Sequence, residues 1–301
     1  MGRKLIKHGE SSLTVAIPRN WIKENNLKKG DEIEIKQEKN NLVISSQKIP
    51  EHKKIEIDIS NASPMIRRII GATFKTGYDE VNIKFNSYNE LKAVQDLMRE
   101  QFMGFEIINQ SRDEITVRNI SEENLGEFSN VLRRFFLVVN HIASETSSAT
   151  NKDDFKWLKN NTLIKIESDK FADYCRRVIN KNAHLDLRAP PLYTIVEQLE
   201  KVVDRYKELC RYISENKIKT NAETKEVIKE LSAFQESFYN LFYRFELKRI
   251  VELGKEKEKL QERLDRLAQK SSKKEVKVMM LLDRILNLTF DLNGPLMAAH
   301  I

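Results

Sequence analysis

Donors suited to phosphate crowd the start of the chain. Lys4, Lys7, His8, Gly9, Ser11 and Ser12 fall on and around one turn, and ammonium groups, small hydroxyls and backbone N–H groups are what phosphate oxygens accept from. Up to residue 23, Arg3, Lys4, Lys7, Arg19 and Lys23 stand against one acid, Glu10. That imbalance points to a polyanionic partner. A solvated, lysine-decorated hairpin is the plainer alternative.

A second pattern is acidic. Glu200 and Asp204 are four residues apart, as are Asp283 and Asn287, and Asp169 and Asp173. Side chains at i and i+4 share a helix face, and two oxygen donors on one face hold a hard cation when a second helix adds more. A solvated acidic face is the simpler explanation of such pairs. Other chemistry is poorly supported. His8, His52, His141, His184 and His300 are scattered without metalloprotease spacing, and there is no glycine-rich phosphate loop or nucleophile elbow. Cys175 and Cys210, the 2 cysteines, sit in helical patterns and are expected as buried small hydrophobes in a reducing cytoplasm. FFLVV and VMMLL are too short to cross a bilayer, and the start does not read as a signal peptide.

The elements that must position these groups follow from periodicity. The 301 residues are 40% hydrophobic and 32% charged with net charge +7, which suits a globular, multidomain α+β chain. Residues 1–50 read β-β-α-β-β: Leu13, Val15 and Ile17 alternate as in a half-buried strand, Pro18 fits the first helical position, and Gly30-Asp31 and Asn40-Asn41 are turns. So short a segment cannot bury a core of its own, so it requires a second copy or a supporting domain. Residues 51–120 read as a small α/β unit. Its strands are Lys54–Ile59 and Val81–Phe85; Ser63-Pro64 caps a helix that stops at Gly77, Ser87 with Glu90 caps the next, and FEII and EITVRN form a closing hairpin.

Residues 121–301 have helical period. One helix carries Phe128, Leu132, Phe135, Val139 and Ile142 on a stripe, and a second is expected from about Asp153 to Asn182. Pro190-Pro191 breaks the chain before a third, which ends near Asn216. Thr220 with Glu223, and Ser272 with Glu275, read as capping boxes, and Gly294-Pro295 as the stop of the last helix. A break is expected around Tyr243–Glu246, because a single helix between the Thr220 and Ser272 caps would far outrun the others; a weak internal repeat supports it, pairing Phe135, Val139 and Ile142 with Val227, Leu231 and Phe234, and Asp173 with Asp265. Two three-helix units result. Leu253, Leu260, Leu264 and Leu267, and the aromatic belt Phe238, Tyr239, Phe242, Tyr243 and Phe245, read as bundle core.

Two resemblances sharpen this. RKLIKHGESSLTVAIPRNWIKENNLKKGDEIEI resembles the AbrB/MazE/SpoVT swapped-hairpin DNA-binding domain, through its basic first strand, glycine-serine turn, T-V-x-I-P-R-x-W run and L-x-x-G-D-x-I-x-I. It implies an intertwined homodimer that contacts DNA around Arg3, Lys4, Lys7, Ser11 and Arg19; His8 joins them on donor chemistry. QLEKVVDRYKELCRYI and LLDRILNLTFDL resemble the repeated E-x-x-x-D helix of PhoU-type phosphate regulators, which implies a divalent metal at Glu200, Asp204, Asp283 and Asn287. The order of the segments, with IRRIIGATFKTGYDEVNI in the middle, resembles archaeal phosphate uptake regulators. The expected protein is a cytoplasmic, dimeric DNA-binding transcriptional regulator, not an enzyme, without membrane insertion. Two rivals are an adaptor that restrains a phosphate transporter or signalling protein without sequence-specific DNA binding, and a metal-dependent phosphohydrolase.

Overall fold

The computed structural model describes residues 2–8, 12–38, 41–46, 52–121, 125–182 and 188–300. Ser11, Glu10 and His184 lie outside them. The chain divides into two compact units, 1–52 and 53–301.

The first unit has the expected β-β-α-β-β order. β1 (Ile6–His8) pairs antiparallel with β2 (Ser12–Thr14), helix α1 (Arg19–Glu24) follows, and β3 (Ile33–Glu38) pairs antiparallel with β4 (Asn41–Ser46). Pro18 is the N-cap of α1 rather than its first residue, a shift of one position. Asn25 ties the parts together, donating to the Trp21 carbonyl at 2.8 Å and accepting from the Ser46 hydroxyl at 3.0 Å.

In the second unit, β5 (Lys54–Asp58), α2 (Ile66–Thr76) and β6 (Glu80–Lys84) form a crossover with parallel strands. Then come α3 (Tyr88–Glu100), β7 (Phe105–Gln110) and β8 (Glu114–Asn119). β8 inserts between β6 and β7, giving a four-stranded sheet in the order β5-β6-β8-β7. Alternation explains its inner face: Val81, Ile83, Ile115 and Val117 are buried, against Ile70 and Phe74 of α2 and Val94 and Leu97 of α3 in one apolar cluster. Ser87 and Glu90 form the expected capping box. The N-cap of α2 is Met65, not Ser63, so the helix starts later than the Ser-Pro pair suggested, while Gly77 closes it in the left-handed conformation at φ 98°.

The helical part runs α4 (Leu125–Asn151), α5 (Phe155–Asn161), a 3-10 turn (Thr162–Ile164), α6 (Lys165–Asn182), α7 (Ala189–Asn216), α8 (Ala222–Tyr243), α9 (Leu247–Lys270), α10 (Lys273–Asp291) and α11 (Asn293–His300). The break between α8 and α9 falls where the repeat placed it. The second expected helix is instead two, interrupted by the 3-10 turn. Pro190-Pro191 and Gly294-Pro295 lie in the first turns of α7 and α11, where a missing N–H costs nothing. Asn221, not Thr220, caps α8 by accepting from the Thr224 N–H, whereas Ser272 and Glu275 form their capping box. α7 packs against α4, α5, α6, α10 and α11. Its buried Ile195, Val196, Leu199, Val202, Val203, Tyr206, Leu209 and Ile213 form a broad stripe at helical spacing. Leu253, Leu260, Leu264 and Leu267 are buried in the same core.

Arg177 of α6 joins the α/β part to the helices. Its side chain has no exposed surface. It donates to the Phe74 carbonyl at 3.0 Å, to the Tyr78 carbonyl at 2.7 Å and to the Asp79 carboxylate at 2.7 Å, and its guanidinium lies over the rings of Phe74 and Phe105. A cation at the carboxyl end of α2 satisfies carbonyls the helix leaves open. Burial pushes the Asp79 carboxyl up, but Lys181 and Arg177 outweigh it and hold the group below its ordinary value. Gly77 is needed here twice over: a Cβ would strain its backbone and meet Lys181 Cγ at 2.7 Å. Arg177→Met should lower unfolding free energy by on the order of 3 kcal/mol, the cost of leaving buried polar partners unpaired. Calorimetry should also show the single melting transition of the second unit splitting; an unchanged melt would remove Arg177 from this role.

Candidate nucleic-acid interface

The first unit has almost no interior. None of its described side chains is buried, and Leu5, Ile6, Leu13, Val15, Ile35 and Leu42 are all exposed. Helix α1 spans 6 residues and buries none of them. Around this apolar surface stand the cations. Arg3, Lys4, Lys7, His8 and Arg19 are exposed. Lys4, Lys7 and Arg19 form no ion pair with another described residue.

Strand register sorts the hairpin's faces. Ile6 lies opposite Thr14, Lys7 opposite Leu13, and His8 opposite Ser12. Since side chains alternate, Lys7 and Leu13 share one face while Ile6, His8, Ser12 and Thr14 share the other. The Ser12 hydroxyl donates to the His8 carbonyl, and the Thr14 hydroxyl to the Ile6 carbonyl at 3.2 Å. The structure thus places Lys7 and His8 on one strand, Arg3 and Lys4 just before it, and Arg19 at the start of α1. Ser11 lies outside the described residues.

The acidic faces tell a different story. Glu200 and Asp204 project from α7 beside Asp169 of α6, as the spacing required, but an ammonium already sits among them. Lys165 Nζ is 3.0 Å from Asp204 and 3.3 Å from Glu200, and it also bonds Asp169. Arg176 takes the other oxygen of Glu200 and pairs with Glu197 and, at 2.9 Å, Asp173. At the corresponding place between α9 and α10, the Gln261 amide donates to Asp283 at 2.7 Å and to Asp265 at 3.3 Å, and the Asn287 amide donates to Asp283 at 3.1 Å. Among the described residues no group of three or more His, Cys, Asp or Glu side chains is arranged to hold a metal ion. Glu200, Asp204, Asp283 and Asn287 therefore do not fit a divalent cation: the carboxylates of Glu200, Asp204 and Asp283 face N–H donors of this chain, and Asn287 is itself one of those donors. Sequence reasoning missed Lys165, Arg176 and Gln261, although Gln261 stands at the same offset from Asp169 as Asp265 does from Asp173.

Burial and these cations set the carboxyl groups apart. Burial is the main reason the Asp169 carboxyl is pushed up to about 6, with Lys165 opposing and Glu200 reinforcing. Burial also raises Glu200, but Arg176 and Lys165 outweigh it and leave that group below its ordinary value. Both thiols are buried, as expected; burial pushes the Cys210 thiol up to about 11, so it stays protonated.

Comparison with known proteins bears on the first unit. Residues 6–54 match the family described as antidote-toxin recognition MazE, bacterial antitoxin. No curated protein and no solved structure matches the chain. Among the described residues no helix is long and apolar enough to cross a membrane.

Asp169 gives a pH-dependent expectation. With its folded value near 6 and an unfolded value near 3.8, the folded chain binds a proton there that the unfolded chain has released. That contribution to stability is complete below the unfolded value and disappears as pH rises through 6, while Glu200's, held low, is lost only in acid. Carboxyl-carbon NMR should show Asp169 titrating near pH 6 with Glu200 ionised throughout. Lys165→Met should move the Asp169 midpoint higher; an unmoved midpoint would dissociate the lysine from the cluster.

Proposed function

We propose that the chain is a homodimeric, DNA-binding transcriptional regulator without catalytic activity. The observation that carries this reading is a small unit whose Lys4, Lys7 and Arg19 are exposed without an ion pair to another described residue, and in which none of the described apolar side chains is buried. Two copies would bury Leu5, Ile6, Leu13 and Val15 against each other, and at about 25 cal/mol per Å² such burial supplies what each copy lacks. Pairing also doubles the cations that meet a duplex, and affinity through phosphate contacts grows with their number. The family match over residues 6–54 supports the same reading.

The finer assignments rest on resemblance. The likeness of residues 121–295 to PhoU-type regulators supports a sensing or partner-binding role for the helices and phosphate uptake as the controlled process. No metal at the acidic faces is needed. An effector that prefers one arrangement of the dimer would alter DNA affinity by its differential binding alone.

Fluorescence anisotropy with duplex DNA tests the proposal. Six phosphate contacts per dimer, from Lys4, Lys7 and Arg19 of each copy, imply a log-affinity against log-salt slope of about −5. Lys4→Glu, Lys7→Glu and Arg19→Glu together should weaken binding by about a hundredfold or more. Unchanged affinity in that variant would end the regulator reading. Sedimentation should show a dimer that Leu13→Asp converts to monomer; a wild-type monomer would contradict the paired unit.

A further inference from the structure

A basic cleft opens where α8 turns into α9, and no role described above uses it. Its volume is about 650 Å³, and Arg133, Arg244 and Arg249 line it together with Tyr239, Tyr243, Ser237, Asn240 and a single acid, Glu246. Arg133 comes from α4, across the helix interface, and its guanidinium lies 5.8 Å from the centre of the Tyr243 ring. Arg249 pairs with Glu252 at 2.7 Å. Arg133 and Arg244 form no ion pair with a described residue.

Like charges sharing a concavity repel one another; Glu252 offsets Arg249, which leaves the guanidiniums of Arg133 and Arg244 against the single lining carboxylate of Glu246. An anion would relieve that repulsion and accept bidentate bonds from the same groups. The aromatic belt divides accordingly. Phe238 is buried in the core and Phe242 packs on Phe136 with ring centres 4.7 Å apart. Tyr239 and Tyr243, 5.2 Å apart, also touch Phe136, at 5.8 and 6.0 Å between ring centres, but they line the cleft as well.

We propose that this cleft binds a nucleoside phosphate. Its volume falls within the range of small-molecule sites, about 300–1,000 Å³, and far exceeds what a lone phosphate fills. The arginines would take the phosphate oxygens, a tyrosine ring would cover the base, and Ser237 and Asn240 would meet the sugar hydroxyls. The assignment does not depend on DNA binding, so its test reads ligand binding alone.

Isothermal titration of the full chain with ADP, adenosine and pyrophosphate separates the components. ADP should bind, with adenosine and pyrophosphate each at least tenfold weaker. Arg133→Gln with Arg244→Gln should weaken ADP at least tenfold, while Arg134→Gln, at an exposed position on α4 outside the lining, should leave it unchanged. If the double variant fails to fold, Arg249→Gln carries the test, with a loss of threefold or more. Absence of ADP binding at millimolar concentration would overturn the proposal. So would pyrophosphate binding as tightly as ADP, or unaltered affinity in the folded arginine variants.

Discussion

A polypeptide segment none of whose described side chains is buried has to borrow stability from elsewhere, and that constraint governs the amino-terminal unit. Its hairpins are two-stranded, a form only marginally stable in water. Its helix is far shorter than an isolated helix needs. Local bonds such as Asp31 accepting from the Lys28 N–H at 2.7 Å shape the turns without enclosing anything. Leu5, Ile6, Leu13, Val15, Ile35 and Leu42 face outward, and Ile17, Trp21, Ile22 and Leu27 are only half-buried. In a dimer the same surface that supplies the missing core fixes the spacing of two sets of cations, so folding and polyanion recognition become one requirement.

The larger unit meets the opposite problem, since it buries charges in quantity. Arg177 is enclosed between α2, the sheet and α6, and its carbonyl and carboxylate partners satisfy it. Lys165 and Arg176 neutralise the carboxylates between α6 and α7. Buried pairs of this kind add little net stability compared with apolar packing, but removing one partner strands the other. Their contribution is to geometry: Arg177 fixes which edge of the α/β part meets the helices, and Lys165 fixes the register of α6 against α7.

What the sequence made legible was local. The β-β-α-β-β order came from alternation and turn residues, the Ser87 and Ser272 capping boxes from spacing, and the end of α8 from the internal repeat. Proline and glycine misled where position within a helix mattered: Pro190-Pro191 and Gly294-Pro295 open helices because a first turn has no N–H partner to lose. Thr220 and Asn221 are both good caps, and local pattern could not choose between them. The 3-10 turn at 162–164 contains neither proline nor glycine, so nothing announced it. Arg177 and Lys165 were silent for another reason. Arg177's partners lie about a hundred residues away, and Lys165 reads as a surface lysine until α7 is placed beside it. The acidic spacing was read correctly as a shared helix face, but spacing alone does not reveal which cation fills it.

Hydrogen exchange on the full chain, followed at residues 6–8, 12–14 and 33–38 across a dilution series, reaches the central claim most directly. Slow exchange at high protein concentration should give way to near-random-coil rates once the dimer dissociates, and duplex DNA should restore protection at the same dilution. Protection that persists unchanged in the dissociated monomer would show that the amino-terminal unit is self-sufficient and would contradict the account.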